Sequence, residues 1–348
     1  MGKITFHVVH SVKGGCGKTA FSLFKALGLA KKAIDNGEDH ARVLLLDADL
    51  LGSGLKTLLY VKDEKTFETN KDTRLEAYKV AHGGPGSGVF NYLIFQEKYQ
   101  KCTLNQFLMD DDCTFLDIYV EGAAVHKADG EEITPDTEIN GFIDFVFCAP
   151  EGKDKNYFRY QNGNTPSIDM GRYRLKIRQL LTEIHRLGET GKKGKGADNQ
   201  KIGYEHVVID MPPGYDQYSS VLLEVLREFV KKEKVKDEIY YYALTTGDRS
   251  HLDAMMENVL EMLAEDSLYD PYEKVFAVFN ETQEAEYIAT EPQDVIEDLK
   301  RRADESLGMK NKVEGIVCKF QKEYNAFCRM DSRPTFGYSL NEMSGGLK

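Results

Sequence analysis

The stretch Val12-Lys13-Gly14-Gly15-Cys16-Gly17-Lys18-Thr19 decides the fold of this chain. The apolar run Ile4–Val12 precedes it and predicts a buried strand, and the apolar positions of Thr19–Lys32 recur at helical spacing. Glycines between a strand and a helix let the backbone turn tightly and point its N–H groups inward. Those groups and the helix N-terminus together form a cradle for phosphate oxygens. We therefore predict a phosphate-binding loop at this junction.

Lys18 and Thr19 close the loop and give it a specific chemistry. The lysine would contact the β- and γ-phosphates of a nucleoside triphosphate, and the threonine hydroxyl would hold Mg²⁺. The ordinary Walker pattern needs a first glycine at position 12, where this chain has Val12, so the loop is a deviant form with Lys13 ahead of the glycines. We interpret Cys16 as a small filler residue rather than a nucleophile. The predicted nucleotide-binding residues of the loop are Gly14, Gly15, Cys16, Gly17, Lys18, Thr19 and Ala20.

Acidic residues follow two further predicted strands. Asp47 and Asp49 come after Arg42–Leu46, and Asp210 comes after Glu205–Ile209. Beside a phosphate loop, a carboxylate can orient the water that attacks the γ-phosphate, and we assign this task to Asp49. A carboxylate at the end of a buried strand can hold a metal ion through a water molecule. The predicted ligands of Mg²⁺ are Thr19, Asp47 and Asp210.

The segment Asp210-Met211-Pro212-Pro213-Gly214 is predicted to turn sharply after its strand. A loop of this kind beside the phosphate cradle can sense the γ-phosphate. We therefore add Pro213 and Gly214 to the predicted nucleotide-binding residues.

Strands and helices alternate along most of the chain, which predicts a mostly parallel twisted sheet with helices on both faces, a P-loop NTPase fold. Ligands of such sheets bind at the carboxyl ends of the strands. We predict one domain over residues 1–348, with an inserted or irregular region at about 61–140 and a flexible loop at about 188–201. The remaining predicted strands are Phe142–Cys148, Ile239–Leu244, Lys274–Phe279 and Lys312–Val317, and the remaining helices are Gly171–Leu187, Ser250–Leu263 and Glu291–Ser306.

Composition narrows the classes of partner. The net charge of −12 argues against bulk attraction to DNA or to an anionic membrane. None of the six cysteines forms a Cys-x-x-Cys pair, so neither a zinc cluster nor a disulfide framework is indicated. The sequence shows neither a signal-peptide core nor an apolar run long enough to span a bilayer. We expect a cytoplasmic protein without a membrane partner.

The motifs Lys13–Thr19, Asp47–Gly52 and Asp210–Gly214, in this order and at strand ends, resemble those of the ParA/MinD superfamily of deviant-Walker ATPases. The resemblance covers most of the chain except about 61–140 and 151–170. It implies ATP and Mg²⁺ as ligands and an ATPase that is slow and stimulated by a partner protein.

The resemblance also implies roles for single residues. Lys13 resembles the lysine that reaches across a dimer to the partner's nucleotide, so ATP binding would assemble a homodimer and hydrolysis would release it. The implied catalytic residues are thus Lys13, Lys18 and Asp49. Asn280 ends a predicted strand where the family places a residue that contacts adenine, although an asparagine at a strand end can equally be solvated.

Two functions remain open from the sequence. The first is an ATP-driven dimerisation switch that positions or segregates DNA or a protein cargo. Non-specific DNA is a candidate partner through the basic run at 231–234, although acidic neighbours dilute that run. The second is a nucleotide-dependent binding or scaffold protein with little or no turnover, whose specificity lies in the 61–140 insertion.

Overall fold

The computed structural model describes residues 3–35, 43–49, 143–146, 170–190, 204–232, 237–246, 248–269, 272–280 and 292–318. Within these ranges the chain forms seven strands and five α-helices, followed near its end by a short 3-10 helix at Lys310–Lys312. The strands are β1 (Thr5–Ser11), β2 (Val43–Asp47), β3 (Ile143–Val146), β4 (His206–Pro213), β5 (Glu238–Thr246), β6 (Tyr272–Asn280) and β7 (Val313–Cys318). The helices are α1 (Lys18–Asp35), α2 (Met170–Thr190), α3 (Gln217–Lys232), α4 (Arg249–Tyr269) and α5 (Pro292–Leu307).

All seven strands are parallel and form one sheet in the order β3-β2-β4-β1-β5-β6-β7. This confirms the predicted fold class. The central strand β1 lies between β4 and β5. The chain forms β2, β3 and β4 on one side of β1 and then β5, β6 and β7 on the other side. Such a reversal of strand order opens a crevice at the carboxyl ends of the strands, where ligands bind in open α/β sheets. The glycine loop follows β1 and therefore lies at this crevice.

The two faces of the sheet are covered by different helices. Side chains of α2, α3, α4 and α5 pack with alternate residues of β1, such as Phe6 and Val8, in one large apolar core. On the opposite face, α1 packs against β1, β2 and β4. All seven residues of β1 are buried, as expected for a central strand covered on both faces.

Helix α3 is an element that the sequence analysis did not predict. It begins after Asp216, whose Oδ1 accepts a 2.7 Å hydrogen bond from the backbone N–H of Ser219, an N-cap contact. Its buried face carries Tyr218, Leu222 and Val225 at helical spacing. Both signals stand in the sequence, but they follow directly on the Pro-Pro-Gly turn.

Helix α2 runs to Thr190, so residues 188–190 are helical rather than part of the predicted loop. The rest of that loop and the predicted insertion at 61–140 lie outside the described residues. Among the helices that the structure describes, we find none with the length and apolar character required to cross a membrane.

Candidate nucleotide-binding site

The glycine loop has the backbone geometry that a phosphate cradle requires. Gly15 and Gly17 both have φ of +82°, a left-handed conformation that glycine adopts without strain. A Cβ atom built on Gly14 or Gly15 would meet no atom within 4 Å, so the loop is open on this side. The backbone N–H of Phe21 donates to the Gly17 carbonyl at 2.9 Å and starts the hydrogen-bonding pattern of α1. The loop therefore joins an open turn directly to a helix N-terminus.

Asp210 joins the loop to the strand beside it. Its side chain is 1% exposed, accepts a 3.0 Å hydrogen bond from Ser22 Oγ, and also accepts from the Thr19 hydroxyl. Burial raises the pKa of Asp210 to about 6, against the opposing effects of the Lys18 charge and the two hydroxyl groups. A carboxylate in this position is short of positive charge, which a metal ion would supply.

The second strand end brings two more carboxylates to the same edge. Asp47 is the Cα partner of Asp210 in the parallel pairing of β2 and β4 and is 1% exposed. Its Oδ1 accepts the backbone N–H of Asp49 at 3.0 Å, and Asp49 itself is partly exposed. The negative charge of Asp49 is one of the influences that raise the pKa of Asp210. The predicted metal and catalytic carboxylates thus lie together beside α1.

The turn after β4 lies against the start of the glycine loop. Pro213 is the Cα partner of Ser11, and the backbone N–H of Gly214 donates to the Ser11 carbonyl at 2.8 Å. Gly214 has φ of +78°, and a Cβ atom there would lie 3.5 Å from the Val12 carbonyl oxygen. The structure therefore places the predicted sensing turn next to the loop, in a conformation that favours glycine.

Helix α4 contacts the loop from the other side. Lys13 Nζ donates to Ser250 Oγ at 2.6 Å, within the first turn of α4. Cys16 is 1% exposed, and its Sγ lies 3.7 Å from His251 Nδ1. Burial raises the pKa of the Cys16 thiol, as expected for a packing residue that stays protonated.

Asn280 lies at the end of β6 and is 3% exposed. Its Nδ2 donates to the Cys16 carbonyl at 3.3 Å, so this side chain supports the loop backbone. An adenine contact by Asn280 stays a prediction.

Two site residues were missed in the sequence. Ser22 lies three residues after Thr19, on the same side of α1, and this spacing could have indicated that it shares the partner of Thr19. Ser250 belongs to no recognisable motif, and it is separated from its partner Lys13 by 237 positions in the sequence. Such a contact follows from the sheet order, which hydrophobic periodicity does not reveal.

Comparison with known proteins gives structural matches only. No family model and no curated protein sequence matches this chain. Among solved structures, a plasmid partition protein from Borrelia burgdorferi bound to AMPPNP has 12% identity and a TM-score of 0.47, covering 98% of this chain and 95% of that chain. A Cyanothece McdA–ATP complex has 10% identity and a TM-score of 0.47, with coverages of 94% and 87%. The Pyrococcus furiosus cell division ATPase MinD has 14% identity and a TM-score of 0.45, with coverages of 99% and 98%.

These structures are of the ParA/MinD type that the sequence motifs resemble.

Proposed function

We propose that this chain binds ATP with Mg²⁺ and acts as an ATP-driven dimerisation switch. One observation supports this most strongly: the hydroxyls of Thr19 and Ser22 converge on the buried carboxylate of Asp210, directly behind the glycine loop. A solvated turn would need no such arrangement. A cation bound beside the phosphates would supply the positive charge that the buried Asp210 carboxylate lacks.

The residues divide the binding task between them. Backbone N–H groups of the open loop and the N-terminus of α1 would hold the phosphates, and Lys18, 8% exposed, would add a charge-assisted hydrogen bond. The Thr19 hydroxyl donates its hydrogen bond to Asp210, which leaves its oxygen lone pairs for the metal ion. ATP would supply the phosphoanhydride bond that is cleaved.

Asp49 is the residue we propose for orienting the attacking water. Its backbone is held by Asp47, whereas its side chain is partly exposed at the rim of the site. A carboxylate in this position can accept a hydrogen bond from water and take up its proton as the bond to phosphorus forms.

Lys13 supports the dimer part of the proposal. It stands ahead of the glycines, is partly exposed, and donates to an exposed serine of its own chain. A single hydrogen bond of this kind contributes about 1 kcal/mol, so the flexible lysine side chain can exchange it for a phosphate oxygen of a partner's nucleotide. We propose a homodimer of this kind in the cytoplasm, with DNA or a protein complex as cargo and a further protein that stimulates turnover.

Nucleotide affinity tests the binding site. Lys18→Ala is expected to weaken MgATP binding about 10- to 100-fold, since it removes a charge-assisted hydrogen bond. Lys25→Met is the matched control, because Lys25 is a second buried lysine of the same helix, and it should bind as the wild type does. Isothermal titration calorimetry measures both. Equal affinity of the wild type and Lys18→Ala would refute the assigned site.

ATP turnover and the molecular mass in solution test the proposed dimerisation switch. The wild type should release phosphate from ATP faster than Asp49→Ala does. Light scattering should show a dimer of the wild type in the presence of AMPPNP but not in the presence of ADP. Lys13→Ala should abolish this dimer and leave nucleotide affinity intact. If the wild type binds ATP tightly but turns it over no faster than Asp49→Ala, the chain is a nucleotide-dependent scaffold protein rather than an ATPase.

A further inference from the structure

His10 occupies an unusual position near the end of β1. It is 0% exposed and lies on the face of the sheet that α4 covers. Its Nε2 lies 2.8 Å from the Gly214 carbonyl oxygen, and its Nδ1 lies 2.6 Å from the Tyr241 hydroxyl and 3.3 Å from Asn258 Nδ2. One imidazole therefore contacts the turn after β4, strand β5 and helix α4.

The contacts fix the tautomer of this ring. A carbonyl oxygen only accepts, so Nε2 of His10 carries the proton and donates to Gly214. The one lone pair of Nδ1 accepts from the Tyr241 hydroxyl at 2.6 Å, and Asn258 Nδ2 lies 3.3 Å from the same nitrogen. Burial lowers the pKa of His10 to about 4, so the imidazole is neutral near pH 7. The hydrogen bonds thus run from the tyrosine of β5 to the ring and from the ring to the turn, with the Asn258 amide of α4 in contact with both the ring and the tyrosine hydroxyl.

β1 holds both polar groups of Gly214. The backbone N–H donates to the Ser11 carbonyl at 2.8 Å, and the carbonyl accepts from His10. The next residue, Tyr215, packs its ring edge against the imidazole at a centroid distance of 4.8 Å. A shift of this turn therefore changes the partners of His10 directly.

Helix α4 holds the opposite end of the network. Asn258 is 2% exposed, and its Oδ1 lies 3.1 Å from the Tyr241 hydroxyl oxygen. The same helix contacts the glycine loop at its N-terminus through Ser250. Helix α4 is thus linked to the glycine loop through Ser250 and to the turn after β4 through Asn258 and His10.

We propose that His10 is a positioning residue that couples the Pro213–Gly214 turn to helix α4, so that nucleotide binding at the glycine loop stabilises α4. This inference rests on the proposed function, since it requires a nucleotide at the glycine loop. A role in core packing alone would not need an imidazole that contacts three separate elements through both ring nitrogens, because buried polar groups cost free energy unless their partners are in place.

His7 provides a matched control on the same strand. It is also 0% exposed and also contacts a tyrosine hydroxyl of β5, Tyr242, at 3.1 Å. It lies on the opposite face, and its other ring nitrogen is 3.1 Å from His206 Nδ1, within the sheet. Its replacement disturbs the core to a similar degree but leaves the turn and α4 untouched.

Hydrogen exchange of the full chain, with and without MgAMPPNP, tests the coupling. In the wild type we expect slower exchange in the glycine loop, the turn at 213–216 and α4, by about fivefold or more in α4. In His10→Phe the glycine loop should still respond, while the response of α4 falls below about twofold. His7→Phe should keep the full response of α4, and His10→Gln, which retains a donor for Gly214, should recover part of it.

Asn258→Leu removes the contact of α4 with His10 at a residue that is not assigned to nucleotide binding, and it serves as the second variant if His10→Phe does not fold. It should lose the response of α4 and keep that of the turn. A wild-type response of α4 in both variants would overturn the inference, as would a wild type in which the loop responds without α4. If the glycine loop of the wild type shows no response at all, the proposed function fails instead.

Discussion

Asp210 combines burial, charge and hydrogen bonding in one side chain. Water is excluded from it, which favours the neutral form, whereas two hydroxyl donors and Lys18 favour the carboxylate. A pKa of about 6 leaves this carboxyl mostly ionised at pH 7 and sensitive to any nearby cation. The residue is therefore suited to a site that is empty of metal at one time and filled at another.

Asp210→Asn tests this reading of the carboxylate. The amide retains a hydrogen-bond acceptor but loses the charge, so MgATP affinity should fall about 10- to 100-fold, because charge-assisted contacts are lost. ADP affinity measured in EDTA should change by less than about twofold, since no metal contributes there. Titration calorimetry gives both constants, and Ser22→Ala, which keeps the charge, is the control. Equal losses with and without magnesium would contradict a role in metal binding.

At the scale of elements, α1 carries both the phosphate residues and a buried charge. Lys25 is 4% exposed, and its Nζ lies 5.3 Å from the centre of the Tyr242 ring. Burial, with a smaller effect of Lys32, lowers the pKa of Lys25 to about 7. The aromatic ring compensates only partly for lost hydration, since a cation–π contact contributes about 0.5–2 kcal/mol.

Lys25→Met should stabilise the fold. The folded-state pKa lies below the unfolded value of 10.5, so the cost of burying the lysine is fully present below pH 7 and disappears as the pH rises towards 10.5. We expect a gain of about 2–4 kcal/mol in the free energy of unfolding at pH 7 and a much smaller gain at pH 10. Urea denaturation at both pH values measures this gain in the free energy of unfolding.

Lys32→Met, at an exposed position of the same helix, should change stability by less than about 0.5 kcal/mol. An unchanged or lower stability of Lys25→Met would show that the lysine is better accommodated than its burial suggests.

The elements also show what the sequence can and cannot predict. Strands β1, β2 and β4 were predicted because each is an apolar run that ends in a glycine or acidic motif. The placement of Asp47 beside Asp210 followed from the rule that parallel strands end at one edge. The contacts of Lys13 with Ser250 and of Asn280 with Cys16 could not be predicted, since they depend on which strands are neighbours. His10 was read only as part of a strand, because an isolated histidine in an apolar run gives no sign of its partners.

On the scale of the whole molecule, the central strands hold three buried or half-buried histidines in neutral form. Burial lowers the pKa of His10 and of His206 to about 4, and it lowers the pKa of His7 well below 6.5. His7 and His10 lie on opposite faces of β1, so the effect involves both layers of the fold. Acid should therefore act on the centre of the sheet rather than on its surface.

Stability should fall as the pH decreases from 6.5 towards 4. In this window the unfolded chain binds protons at three histidines that the folded chain leaves neutral, so stability is lost as the pH falls. Asp210 acts in the opposite sense, because its raised pKa lets the folded state bind one proton more between pH 6 and pH 3.8. The net difference of about two protons predicts a loss of about 2.7 kcal/mol per pH unit near pH 5 from these four groups.

Urea denaturation at pH 7.5, 6 and 5 measures the slope, and His206→Asn should reduce it by about one proton, roughly 1.4 kcal/mol per pH unit. A stability that is flat across this range would mean that the buried imidazoles gain compensating partners on protonation, and the neutral network around His10 would then lose its physical basis.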